Sequence, residues 1–213
     1  MYHFVFVSKE ESKPAKVNLI ELIHELQDEV RGYFTFSYEF IGSEALNLLT
    51  YDPTTNIGFD FDVNIRVNDP NEEYSPEEIK HILMNAMNNI VRRYGYDYCE
   101  DSTRVFTIKF KDRSTSRIVH SCDFAVVFDC DDGRQQYIRF NKTQNSYYWE
   151  FQPKGYYQIA QKIADIKREG FWQEVRELYL YKKNNRSDLS KSSRALRAEA
   201  INEVFQKYFT DEE

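Results

Sequence analysis

The stretch from Phe40 to Val67 constrains this chain more than any other, because it sets two carboxylates inside a run that otherwise reads as a core-bound strand. Strand side chains alternate faces, so Asp60 and Asp62 share one side while Phe59, Phe61, Val63 and Ile65 share the other. Two clustered carboxylates repel, and keeping both ionised in a poorly solvated place takes a cation or a basic group. Hard oxygen donors suit Mg²⁺, so the pair is a candidate metal site. Upstream, the aromatic and β-branched run Tyr33 to Ile41 reads as a strand that delivers Gly42-Ser43 to a short helical segment. Asp52-Pro53 and Asn56 then supply a turn before the acidic strand.

The flanking sequence predicts helices and hairpins around that stretch. Residues Ser8 to Ala15 read as a polar loop, and Val17, Ile20, Leu22, Ile23, Leu26 and Val30 recur at helical spacing through Lys16 to Arg31. Ser75-Pro76-Glu77-Glu78 is a helix start with Ser75 as N-cap, Pro76 at the first helical position and Glu78 where a capping box places it. That helix should run to about Tyr94, before Gly95. Strands are expected at Arg104 to Lys111, Arg117 to Phe128, Gln135 to Phe140 and Tyr147 to Phe151, with Asp129 to Gly133 an ordinary turn. Asp123 stands alone among Val119, Phe124, Val126 and Phe128, and an acid in such a strand requires a partner. Helical patterns resume from Tyr156 to Leu180, broken near Gly170, and a last helix is expected with Ser187 as its cap. The fold class is therefore α+β: a mixed or antiparallel sheet with flanking helices and a C-terminal helical appendage. The expected division is a core at 1–153 and a helical region at 154–213 packed on it.

Composition bounds the function. With 16 Tyr and 16 Phe against 7 Gly and 5 Pro, the chain is a folded one. A net charge of -7 argues against an overall electrostatic grip on nucleic acid, so any polynucleotide role needs a local basic surface. Cys99, Cys122 and Cys130 lack metal-knuckle spacing and form an odd set. A reducing cytoplasm is the expected location. The first residues lack the basic region and long apolar run of a signal peptide, and no stretch approaches the roughly 18 apolar residues of a membrane span. No membrane partner is expected.

Ile41-Gly42-Ser43, then Asp60-Phe61-Asp62, and later Asp123 within Ser121-Cys122-Asp123-Phe124-Ala125-Val126, together resemble the nucleotidyltransferase superfamily, the DNA polymerase β-like fold. The matching span runs from about Val17 to Phe128. The resemblance implies that Asp60, Asp62 and Asp123 are the catalytic and metal-holding residues, with Mg²⁺ or Mn²⁺ as the ion and Asp123 doubling as general base. Gly42 and Ser43 would hold the triphosphate of a nucleoside triphosphate, since a glycine lets the backbone approach a phosphate and a hydroxyl can donate to it. Lys154, in a loop after a strand, and Lys182, in a basic run near the C-terminus, are candidate phosphate contacts, although such runs usually face solvent. The expected reaction moves a nucleoside monophosphate from the triphosphate to an acceptor hydroxyl, which belongs to an RNA end, a small molecule, a protein or another nucleotide. The rival is a catalytically silent nucleotide-binding or protein-interaction module on the same fold. One departure favours that rival: Glu44 follows the Gly-Ser pair, and its charge would repel an incoming phosphate.

Overall fold

The computed structural model describes residues 2–153, 156–186, 188 and 190–210, and at 156 and 157 it describes the backbone alone. The chain forms two compact units: residues 7–50 with 56–152, and residues 1–6 with 51–55 and 153–213.

The larger unit begins with helix α1, Lys9–Val30. The expected polar loop at Ser8 to Ala15 is instead its first two turns. Ser8 caps them, its hydroxyl accepting from the Glu11 amide while the Glu11 carboxylate accepts from the Ser8 amide. This capping box was written in the sequence but masked by Pro14, which lacks the amide that a helix interior uses. One face of α1 is apolar, and Leu19, Leu22, Ile23, Leu26 and Val30 are fully buried.

Strand β1 (Thr35–Ile41) leads into the one-turn helix α2 (Gly42–Ala45), and β2 (Phe59–Asn68) follows after a turn. Helix α3 (Pro76–Ile90) starts with the expected Ser75 and Glu78 capping box and continues as a 3₁₀ turn to Tyr94, ending at Gly95. Then come β3 (Glu100–Asp101), β4 (Phe106–Asp112), β5 (Arg117–Asp129), β6 (Gln135–Asn141) and β7 (Ser146–Phe151). The seven strands form one sheet in the order β1-β2-β5-β4-β3, with β6 paired to β5 and β7 to β6. It is a mixed sheet. Only β2 and β5 run parallel, from Phe59 opposite His120 to Arg66 opposite Val127, and the other pairings are antiparallel. A parallel neighbour needs a crossover, and α3 with the β3–β4 hairpin supplies it.

Alternation along β2 is as expected: Phe59, Phe61, Val63 and Ile65 are buried, while Asp60 is exposed and Asp62 half-buried. The buried side joins Leu83, Met87 and Ile90 of α3 with Phe106, Ile108, Cys122 and Phe124 in one core. At one end of that core sits His120, stacked between Phe110 (4.9 Å) and Phe59 (5.4 Å), with the Tyr96 hydroxyl 2.9 Å from its Nε2. Burial pulls the imidazole down to about 4, because a charged ring there would lose its water. The folded-state value lies below the unfolded one, so this group's contribution is complete above pH 6.5 and is lost as the pH falls toward 4, amounting to about 3 kcal/mol. The expected result is a His120 imidazole that stays neutral by NMR down to about pH 4. A ring titrating near 6.5 would place it in water.

The smaller unit carries α4 (Tyr156–Arg168), α5 (Trp172–Asn185) and α6 (Ser193–Phe209). Gly170 separates α4 from α5, as expected. The last helix starts later than the sequence pattern suggested: Ser192 caps it, its hydroxyl accepting from the Ala195 amide, and the expected cap Ser187 lies outside the described residues. Ile166, Val175, Tyr179, Leu196, Ala200, Ile201 and Val204 form the buried interior. The N-terminal segment belongs to this unit through Asn184, whose side chain accepts from the Phe4 amide (2.6 Å) and donates to the Phe4 carbonyl (3.0 Å). Among the described residues no helix is long and apolar enough to cross a membrane.

Candidate active site

The parallel pairing of β2 and β5 brings the acids together. Asp62 lies directly opposite Asp123, and Asp60 opposite Ser121, so all three carboxylates leave the sheet on one face. On the next strand Thr107 lies opposite Asp123 and Lys109 opposite Ser121, which extends the polar face across β4. The Ser121 hydroxyl donates to Asp60 Oδ1, and the Thr107 hydroxyl donates to Asp123 Oδ1 at 2.5 Å. Burial, helped by the charge of Asp60, holds the Asp123 carboxyl above the ordinary carboxylate range, while Thr107 and Lys109 pull the other way. These hydroxyls were not foreseen. The signal was available, since Ser121 stands two residues before Asp123 and Thr107 alternates with the buried Phe106 and Ile108.

Gly42 meets the acids from β1. Its φ is +66°, and a Cβ built there would sit 2.1 Å from Asp62 Oδ2 and 2.9 Å from Asp62 Cγ. Only a residue without a side chain allows the Asp62 carboxylate this close to the turn. The register explains the approach, because Ile41 pairs directly with Asp62. Ser43 follows in α2. The structure thus brings Gly42, Ser43, Asp60, Asp62 and Asp123 into one place in the larger unit.

Glu44, the departure that argued against phosphate binding, is half-buried and paired with Lys16 of α1 at 2.5 Å. The two turns that sequence reasoning read as loop place the start of α1 so that this lysine reaches α2, and Glu44 is neutralised there. Lys182 lies in α5 of the smaller unit, 2.6 Å from Glu203 and 3.8 Å from Glu199. Lys154 lies outside the described residues.

Among the described residues no three carboxylate, imidazole or thiol groups are already gathered as a metal-ligand set. Asp60 and Asp123 are instead each held by a hydroxyl. The donor chemistry nonetheless fits a hard divalent ion. Two aspartates stand in register with a third on the same face, and the half-buried Asp123 is the group whose ionisation a cation would relieve.

No protein-family model and no curated protein sequence matches this chain. Solved structures do resemble it. The Bradyrhizobium diazoefficiens CD-NTase CdnG in complex with GTP matches at 13% identity with a TM-score of 0.53, over 74% of this chain and 43% of that one. The Vibrio cholerae DncV cyclic AMP-GMP synthase with the linear intermediate 5′ pppA(3′,5′)pG matches at 15% identity and a TM-score of 0.58, over 87% and 48%. E. coli MS115-1 CdnC with ATP matches at 16% identity and a TM-score of 0.54, over 93% and 62%. The chain spans about half the length of these proteins. With a mixed sheet, a Gly-Ser turn against Asp62 and Asp123 in register beside it, the chain has the nucleotidyltransferase fold.

Proposed function

We propose that this chain is a nucleotidyltransferase that transfers a nucleoside monophosphate from a nucleoside triphosphate to an acceptor hydroxyl and releases pyrophosphate. The observation that carries the reading is the register of β2 on β5, which sets Asp62 beside Asp123 with Gly42 packed on Asp62. GTP in CdnG and ATP in CdnC support a nucleotide as the ligand of this fold. Gly42 and Ser43 hold the triphosphate, the glycine by admitting a phosphate against the backbone and the serine through its hydroxyl. Lys16 keeps Glu44 from repelling that phosphate.

Asp60, Asp62 and Asp123 would hold Mg²⁺ or Mn²⁺, which when bound neutralises phosphate charge and makes an acceptor hydroxyl easier to deprotonate. To take that role Asp60 and Asp123 turn from the hydroxyls of Ser121 and Thr107. Asp123 doubles as the acceptor of the hydroxyl's proton. The transferred phosphorus exchanges its bond to the pyrophosphate oxygen for a bond to the acceptor oxygen. Positioning and charge neutralisation supply most of the acceleration. The three free thiols suit a reducing compartment.

The test is pyrophosphate release from ATP, GTP, CTP and UTP with Mg²⁺ or Mn²⁺, run beside thermal shift with the same ligands. The expected result is a metal-dependent rise in melting temperature with at least one nucleotide, accompanied by release. Stabilisation without release under any of the acceptors would establish the silent module instead.

A further inference from the structure

The larger unit contains a cavity of about 300 Å³ between the start of α1 and α2. Val7 and Leu49 form its apolar part, and Lys9, Ser12, Lys13 and Lys16 line it from α1, facing Glu44 and Asn47. Positions 9, 13 and 16 follow helical i, i+4, i+7 spacing, so three ammonium groups share one stripe. Among the described residues Lys9 and Lys13 have no carboxylate within ion-pair distance, and Lys16 has Glu44. Lys9 and Lys13 therefore line the cavity with ammonium groups that no ion pair in the described residues engages, Glu44 being taken by Lys16.

We propose that this cavity binds a phosphate chain of two or more linked phosphates. The three lysines span about 10 Å of helix at 1.5 Å per residue, which suits a charge distributed along a chain better than one point anion. A volume near the lower end for small-molecule sites excludes a large ligand body within the cavity. Lysine is a point-charge phosphate binder, and Ser12 and Asn47 add neutral polar groups to the lining. The phosphates are either free pyrophosphate or the tail of a nucleotide whose remainder lies outside. Neither Gly42 nor Asp62 lines the cavity, so the proposal does not rest on their contact.

The experiment is calorimetric titration of metal-free full chain with sodium pyrophosphate at two salt concentrations. The wild type is expected to bind one equivalent, more weakly at the higher salt. Lys9→Glu with Lys13→Glu should weaken binding at least tenfold, and Gly32→Ala, where an added methyl meets nothing, should leave it within twofold. The paired reversal keeps the fold, because glutamate near the start of α1 favours the helix, and Lys9→Ala with Lys13→Ala should show the same loss in smaller measure. Repeating the titration with ATP on the wild type and on the paired reversal separates the sources. Binding that the paired reversal removes assigns the nucleotide tail, and pyrophosphate binding without ATP binding assigns the free anion. Absence of both ligands from the wild type, or equal binding by wild type and paired reversal, would overturn the proposal.

Discussion

Gly42→Ala is expected to lower nucleotide-dependent pyrophosphate release by about 10²-fold or more, the scale on which a displacement of about 1 Å at a reacting centre acts. The added methyl would sit 2.1 Å from Asp62 Oδ2, so either the carboxylate leaves its place opposite Asp123 or the turn refolds. The φ of +66° adds a backbone cost of about 1–2 kcal/mol for any residue with a Cβ. Gly32→Ala is the matched control. A Cβ there meets nothing within 4 Å and its φ is not in the left-handed region, so activity and melting temperature should hold. Steady-state rates on the two variants decide the matter, and an active Gly42→Ala enzyme would separate Gly42 from the chemistry.

The second large effect is expected at the acids. Replacing Asp60, Asp62 or Asp123 singly with Asn should abolish metal-dependent pyrophosphate release, while the metal-free protein stays as stable or gains. Asp123→Asn carries the clearest sign. Its carboxyl is held above the ordinary range by burial and by Asp60, so the folded state binds its proton more tightly than the unfolded chain does. This group's contribution is therefore most favourable at acid pH and is lost as the pH rises through its folded-state value. At pH 7 the Asn variant should melt at the same temperature or higher, and the difference should shrink on acidification below pH 4. Asparagine keeps an oxygen for the Thr107 hydroxyl, so no buried donor is orphaned. Unfolding of Asp62→Asn would mark that acid as a structural partner, and turnover by all three variants would end the nucleotidyltransferase reading.

Much of this arrangement was legible because its signals are local. The period of two from Phe59 to Ile65 gave the buried and open faces of β2, and Ser75 with Glu78 gave the start of α3. The start of α1 was equally local but carried conflicting signals. Its Ser8 and Glu11 capping box specified a helix, while the polar composition of Ser8 to Ala15 read as a loop, and the chain is helical from Lys9. Pairing information is of another kind. Nothing in residues 59–66 names residues 120–127 as their parallel neighbours, and that pairing alone makes Asp62 and Asp123 one feature. The hydroxyls of Thr107 and Ser121 and the match between Lys16 and Glu44 likewise appear only once separate elements have met.

That long-range parallel pair sets when the acids can exist as a group during synthesis. Residues 59–66 of β2 each meet a partner 61 positions later, so the strand leaves the ribosome well before its neighbour and must wait with one edge unpaired. At roughly 5–20 residues per second the interval lasts several seconds. During it β1 can already close on β2 as an antiparallel partner, and α3 can form as a capped helix, but the ladder on the other edge cannot begin. Non-local pairings of this kind form only after the loop-closure entropy has been overcome, which makes them slow. The acid cluster thus cannot assemble before β5 has emerged, and a nascent chain released before Asp129 would display Asp60 and Asp62 on a bare strand edge open to a second copy.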